Sequence, residues 1–169
     1  MENMNGSPRS ASTKPVLPLS GGCFCGTVRY RIDAFPLLLY ACHCTQCQRQ
    51  TGSAFGMSMP VATNSFHIVK GKPKAWQRPT ASGDAVVTSW FCDNCGGRIY
   101  GERNTRPDSI NVRAGTLDDT TWLIPAAHFF MGNAQPWETV GETSICFETI
   151  PGPDDFREAA ERWRQFWTT

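Results

Sequence analysis

The sequence predicts a mainly β domain that ends in one C-terminal helix. Three observations carry the prediction. Short segments alternate with period two and are cut by Gly, Pro and Asp; cysteine clusters sit at the ends of those segments; and helical spacing of aromatic residues is confined to the C-terminus. The 169 residues suit a single domain. A chain of that size can bury about 70% of its unfolded surface, so it needs no staples to fold. Hydrophobic residues make up 40% and charged residues 18%, which argues against global disorder.

The elements follow in order. Residues 1–19 are polar, contain Ser and Pro and lack periodicity, which predicts a flexible tail. The body is expected over residues 20–150. Residues 27–32 alternate cleanly, with Val28, Tyr30 and Ile32 on one face and Arg29 and Arg31 on the other. Further strands are expected at residues 37–41, 54–59, 66–69, 85–91, 98–100, 110–113 and 127–130. Within them, His67 reads as an outward strand residue, and Cys146 further on as a buried, apolar-like thiol. Residues 151–169 carry the helix: Asp155 and Glu158 resemble a capping box, and Phe156, Ala159, Ala160, Trp163, Phe166 and Trp167 fall at helical spacing. The helix is expected to dock its aromatic face on the domain, with a homodimer or partner contact as the alternative.

Seven of the eight cysteines lie in three clusters. These are Cys23-Phe24-Cys25-Gly26, Cys42-His43-Cys44-Thr45-Gln46-Cys47 and Cys92-Asp93-Asn94-Cys95-Gly96. The segment before the first cluster has neither a basic n-region nor an apolar h-region, so it does not read as a signal peptide. A reducing, cytoplasmic setting is therefore expected, where clustered thiols are metal ligands or redox groups rather than disulfides. Zinc takes four ligands in a closed structural site, and three plus an open position in a catalytic one. The seven thiols divide accordingly. Cys23, Cys25, Cys92 and Cys95 form a structural set that staples distant segments, and Cys42, Cys44 and Cys47 form a local triple. Two zinc ions per chain are expected, one structural and one a candidate catalytic ion. A fourth ligand to the triple from His43, His128 or Cys146, or a redox role for it, remains open.

The motifs Ser20-Gly-Gly-Cys-Phe-Cys-Gly-Thr-Val-Arg-Tyr30, Cys42-His-Cys-Thr-Gln-Cys-Gln-Arg-Gln-Thr-Gly-Ser-Ala-Phe55 and Phe91-Cys-Asp-Asn-Cys-Gly-Gly-Arg-Ile-Tyr100 resemble a known signature. It is that of the glutathione-dependent formaldehyde-activating enzyme family, which includes the centromere protein V type proteins. Gly115-Thr-Leu-Asp-Asp119, Pro125-Ala-Ala-His-Phe-Phe130 and Pro136-Trp137 resemble its downstream elements. The resemblance implies a β-tent of antiparallel sheets bracketed by the structural zinc. It also implies an active-site zinc at Cys42, Cys44 and Cys47, and carbon–sulfur lyase chemistry on a glutathione adduct of formaldehyde. Gln48 stands where the family commonly has a basic residue, a departure that bears on the substrate.

A zinc ion held by three thiolates carries a formal charge of −1 and suits a soft, incoming thiol better than hydrolytic water. A nearby cation would offset that charge, and Arg49 is the nearest to Cys47 in sequence. Ser53, with Thr51 and Gly52, is a candidate donor to a substrate oxygen, and His128 a candidate acid or base. Trp122, Phe129, Phe130 and Trp137 are candidate pocket walls. The expected function is a zinc-dependent, carbon–sulfur lyase-like enzyme acting on a small organic molecule, such as a glutathione or other thiol adduct of an aldehyde. A non-catalytic zinc-binding interaction module is the alternative, as is a same-fold enzyme recruited to another elimination, decarboxylation or hydrolysis. The formal charge of +1 gives no basic surplus for nucleic acid, and no apolar run reaches the ~20 residues of a membrane span.

Overall fold

A computed structural model of the chain describes residues 14–80, 83–141 and 144–167. Its described part holds eleven strands in two sheets and two α-helices. The smaller sheet runs β1 (Leu19–Gly22), β2 (Arg29–Ile32), β5 (Phe66–Lys70). The larger has eight strands. In spatial order these are β11 (Ile145–Phe147), β10 (Ala127–Phe129), β3 (Tyr40–Cys42), β4 (Gly56–Ala62), β9 (Ser109–Arg113), β8 (Arg98–Arg103), β7 (Val86–Phe91) and β6 (Lys74–Pro79). Helix α1 (Thr45–Thr51) follows β3, and α2 (Pro153–Phe166) closes the described chain. The fold is mainly β with a C-terminal helix, as the alternation predicts.

Pairing is antiparallel with one exception: β10 runs parallel to both β3 and β11. Chain length permits this. More than 80 residues separate β3 from β10, far beyond the dozen or so that a parallel crossover requires. Apolar side chains on the inner faces form one core, including Val28, Tyr30, Ile32, Leu38, Leu39, Met59, Val61, Ile99 and Val112.

Several expectations are corrected. The tail expected over residues 1–19 falls mostly outside the described residues, and Leu19 is a buried member of β1. Strands β1, β6 and β11 and helix α1 escape the alternation rule. β1 is two glycines after Leu-Ser, and β6 is an edge strand whose side chains face mostly outward. Cys146 is exposed, not buried. It lies on the edge strand β11, on the opposite face from its partly buried neighbours Ile145 and Phe147. Helix α2 begins earlier than the capping-box reading places it. Pro153 occupies the first turn, and the Asp155 carboxylate accepts from the Gly152 N–H at 3.1 Å.

Helix α2 docks through Ala159, Trp163 and Trp167, whereas Phe166 is 48% exposed. Trp163 stacks on Phe35 at 5.7 Å and meets Trp122 at 6.2 Å, and its Nε1–H donates to the Pro36 carbonyl at 3.0 Å. Trp163→Ala is expected to cost about 3–5 kcal/mol in urea unfolding, and Phe166→Ala less than about 1 kcal/mol. Equal losses at the two positions would contradict this docking face.

Candidate metal centre and cleft

The first two-cysteine cluster sits in the β1–β2 turn and the third in the β7–β8 turn. Each is a tight knuckle. The Gly26 N–H donates to the Cys23 carbonyl at 3.0 Å, and the Gly96 N–H to the Cys92 carbonyl at 2.8 Å. Gly26 and Gly96 have φ of 72° and 69°, a conformation that costs glycine little. The turns aim the sulfurs of Cys23, Cys25, Cys92 and Cys95 to within 4.8 Å of one another. Cys23 and Cys25 Sγ are 3.5 Å apart and Cys25 and Cys92 Sγ 3.7 Å. A tetrahedral ion with metal–sulfur bonds of about 2.3 Å sets its sulfurs roughly 3.8 Å apart, so this set fits a metal. The Val28 N–H donates to Cys23 Sγ at 3.2 Å, and hydrogen bonding from Thr27 pulls the Cys25 thiol down to about 5. Both contacts favour thiolates. Burial pushes the Cys92 thiol the other way, to about 11.

The triple forms where β3 runs into α1. Cys42 ends the strand. Cys44 caps the helix, its Sγ accepting from the Cys47 N–H at 3.4 Å, and Cys47 lies in the first turn. Gly56 opposite lets the helix approach β4, because a Cβ there would meet Thr51 at 3.3 Å and Cys47 at 3.5 Å. The three sulfurs lie within 4.8 Å of one another, and among the described residues no further His, Cys, Asp or Glu joins them. Cys44 is pulled well down by hydrogen bonds from Cys42 and Cys47, and Cys42 is pushed up by donating to Cys44 and Cys47. The group therefore shares its protons until a cation replaces them.

Cys42, Cys44 and Cys47 form part of the wall of a cleft of about 620 Å³, within the range of small-molecule sites. Sheet register explains its lining. Tyr40 pairs with Ser58, and Ser58 with Arg113; Pro60 pairs with Asn111, and Asn111 with Gly101; Val87 pairs with both Arg103 and Arg78. Paired residues share a face, so these side chains line one side of the larger sheet. Arg113 Nη1 donates to the Ser58 hydroxyl at 2.8 Å, and its Nε is buried with no partner among the described residues. The Arg113 charge lowers Cys47, although Cys47 as a whole is raised by Cys44 and by burial. Arg98 follows the register shift at Trp90/Phe91 and bonds the Ser89 hydroxyl at 2.8 Å and the Gln50 amide oxygen. Burial brings its guanidinium down to about 10, and it remains charged at neutral pH. Burial also pushes Tyr40 up to about 12, so the phenol keeps its proton beside the cleft, donating to Asn111 Oδ1 at 3.3 Å.

The other sequence candidates lie elsewhere. Arg49 is exposed on α1; two helical positions turn it about 200° away from Cys47. Ser53 is exposed beyond the helix end. His128 is buried on β10 and, by strand alternation, faces away from the cleft that its neighbour Phe129 lines. Its Nδ1 meets His43 Nε2 at 2.9 Å, and burial lowers both rings, His128 to about 4, so neither is charged at neutral pH. Trp122 is core, and Trp137 is 70% exposed outside the cleft. Gln48 ties α1 to the loop after β10. Its Nε2 donates to the His43 carbonyl at 2.7 Å and the Asn133 carbonyl at 2.8 Å, and its Oε1 accepts from Gln135 at 3.2 Å. The residues that sequence reasoning missed are Arg98 and Arg113. For Arg113 the signal was the alternation of β9, which puts Ile110 and Val112 in the core and Asn111 and Arg113 opposite; Arg98, at the start of β8, follows a register shift that alternation does not show.

The family described as glutathione-dependent formaldehyde-activating enzyme matches residues 18–133. The chain belongs to this family. The match takes in all seven clustered cysteines and nearly every residue lining the cleft, and it ends before β11 and α2. A relative from Sordaria macrospora, itself named as a glutathione-dependent formaldehyde-activating enzyme, is 25% identical over 108 residues, 56% of this chain. The match spans 44% of that relative's length. A crystal structure of a Rhodobacter sphaeroides protein aligns with a TM-score of 0.47 at 21% identity, covering 59% of this chain and 87% of the other. No helix among the described residues is long and apolar enough to cross a membrane.

Removing a knuckle sulfur should be felt by the whole fold. Cys92→Ser is expected to lose one bound metal and most of the folded population, because metal binding at such sites contributes about 10–16 kcal/mol to folding. Cys44→Ser should also lose a metal but keep native circular dichroism, since the triple ties only adjacent segments. Metal analysis combined with thermal melting checks both, and a Cys92→Ser protein that melts normally with its full metal content would refute the four-sulfur site.

Proposed function

We propose that the chain is a zinc-dependent carbon–sulfur lyase-type enzyme that joins a thiol, in the first instance glutathione, to formaldehyde and reverses that addition. The carrying observation is that three sulfurs, with no fourth protein ligand among the described residues, form part of the wall of a cleft of ligand size that Arg113 also lines, with Arg98 acting electrostatically on Cys47. The family membership supports the choice of glutathione and formaldehyde. Zinc is the ion that the two sulfur sets suit, Cys23, Cys25, Cys92 and Cys95 holding a structural ion and Cys42, Cys44 and Cys47 a reactive one. At the triple it would supply a soft Lewis acid that favours the thiolate form of an incoming thiol.

The chain's own residues supply the rest. Arg113 and Arg98 offset the negative charge that three thiolates bring to the site. In the forward direction the thiolate sulfur attacks the carbonyl carbon, a C–S bond forms, and the C=O π pair moves onto oxygen. Arg113, fixed by Ser58, is placed to donate to that oxygen as charge develops, and Tyr40 keeps a phenolic proton on the same face. Arg113 thereby takes the donor role expected of Arg49 and Ser53. The proton the thiol gave up on becoming a thiolate returns to the oxygen through solvent and completes the S-hydroxymethyl thiohemiacetal; the reverse path removes that proton, re-forms C=O and breaks the C–S bond. His128 and His43 act as a buried, neutral pair that holds β10 against the end of β3, not as the acid or base.

Two outcomes test the reading. Zinc-supplemented protein should carry about two ions, one of them more easily removed by chelators. It should accelerate formation of S-hydroxymethylglutathione above the spontaneous rate, Cys44→Ser should abolish the acceleration, and Arg113→Gln should lower kcat by about a hundredfold. No acceleration by zinc-loaded protein would dismiss the glutathione–formaldehyde assignment.

A further inference from the structure

The cleft has two unlike flanks. The larger sheet runs in the order β10, β3, β4, β9, and Cys42 ends β3. On one side, Arg113 of β9 stands two interstrand spacings from β3, about 10 Å, with Ser58 of β4 between. On the other side, Phe129 of β10 is the register partner of Cys42, a single spacing of about 4.8 Å away. A carbonyl carbon beside the sulfur triple thus has a hydrogen-bond donor on one hand and an aromatic ring on the other.

From Phe129 the apolar wall is continuous. Its ring stacks on Tyr40 with centroids 4.3 Å apart and meets Phe156 at 6.4 Å. Phe130 has a φ of 61°, a left-handed conformation that costs a phenylalanine energy. That turn breaks the alternation of β10, so the consecutive rings of Phe129 and Phe130 both line the cleft. The Phe130 N–H donates to the Thr149 carbonyl at 3.2 Å, which brings Ile150 and Pro151 to the same wall, where Leu37 and Phe156 also lie. Arg106 covers the Phe156 ring at 5.9 Å. Ile150 is 60% and Leu37 44% exposed, so apolar surface is left bare inside a concave site, as in a ligand wall rather than a core. Ile150, Pro151 and Phe156 come from the C-terminal segment that the family match does not reach.

We infer that Leu37, Phe129, Phe130, Ile150, Pro151 and Phe156 form an apolar subsite for the substituent of the carbonyl partner, so that the site takes aldehydes bearing an apolar chain or ring and not formaldehyde alone. This rests on the reading of Cys42, Cys44 and Cys47 as a thiol-binding metal site with Arg113 as donor to the carbonyl oxygen. Formaldehyde carries only hydrogens on its carbon and has nothing to place against the wall. A longer aldehyde buries its chain there, and each fully buried methylene is worth about fourfold in affinity. The chemistry needs no further reagent. The thiolate forms the C–S bond, the C=O π pair moves onto oxygen beside Arg113, and the proton lost by the thiol reaches that oxygen through solvent, giving a thiohemiacetal. Because oxygen and substituent are held on opposite flanks, the sulfur attacks one face of the carbonyl.

The test uses zinc-loaded full-length protein and isothermal titration with S-methylglutathione and S-hexylglutathione, stable thioethers that stand in for the adducts of a short and a long aldehyde. The hexyl thioether is expected to bind at least about tenfold more tightly, with a more negative heat-capacity change. Ile150→Ser and Phe156→Ala should each reduce that gain to below about threefold, whereas Phe166→Ala, on the exposed face of α2 and outside the cleft, should leave it whole. Acceleration of glutathione addition, taken relative to each aldehyde's spontaneous rate, should likewise be greater for hexanal than for formaldehyde. Equal affinity for the two thioethers, a gain untouched by both Ile150→Ser and Phe156→Ala, or no greater acceleration with hexanal overturns the subsite alone. So does failure of both thioethers to bind protein that accelerates the formaldehyde reaction. Failure of both to bind, with neither aldehyde accelerated, overturns the glutathione reading and the subsite with it.

Discussion

Four sulfurs drawn from two distant turns, and kept within 4.8 Å of one another, are the constraint on which the structure depends. Cys23 and Cys25 lie in the turn joining β1 to β2 of the smaller sheet, and Cys92 and Cys95 in the turn joining β7 to β8 of the larger. Strands of three to seven residues cannot each contribute much burial, and the two sheets share few ladder contacts. A metal at this point would join them where their cores meet, a role that hydrophobic contact alone fills less sharply. The knuckle glycines and the N–H donated to Cys23 preset the sulfurs for it.

The larger sheet in turn supplies the cleft. Its inner face packs the core, so the polar alternates of β9, β8 and β6 are left to converge on the other face with Tyr40, Ser58 and the sulfur triple. This arrangement concentrates positive charge near thiolates in a chain whose overall charge is almost zero. Bulk composition therefore says little about the ligand; the local field does. Helix α2 adds an aromatic wall to this site through Phe156 while burying Trp163 and Trp167 on its other side. One amphipathic element thus serves both the core and the cleft.

Much of this was legible in the residues. Cysteine spacing revealed the division into four and three, because chelate geometry depends on local turns that spacing encodes. Residues 27–32 and 110–113 announced their strands, because one face is buried and the other is not. Helix α1 was illegible: Thr-Gln-Cys-Gln-Arg-Gln-Thr has no apolar stripe and is held by a cysteine cap and by Gln48. Cys146 misled because a thiol between Ile and Phe looks buried until the strand proves to be an edge. The cation beside the triple was sought at Arg49 by nearness in sequence. The structure brings Arg98 and Arg113 there from strands some 50 to 65 residues on, a long-range pairing that no local pattern records.

The claim that the triple is an open metal site that accepts a thiol is tested most directly by the absorption spectrum of protein carrying cobalt(II) in its more labile site. A sulfur-to-cobalt charge-transfer band should be present before any thiol is added. It should gain intensity on titration with glutathione and saturate at one thiol per cobalt. A spectrum that already has the full four-sulfur intensity and does not respond to thiol would contradict the account.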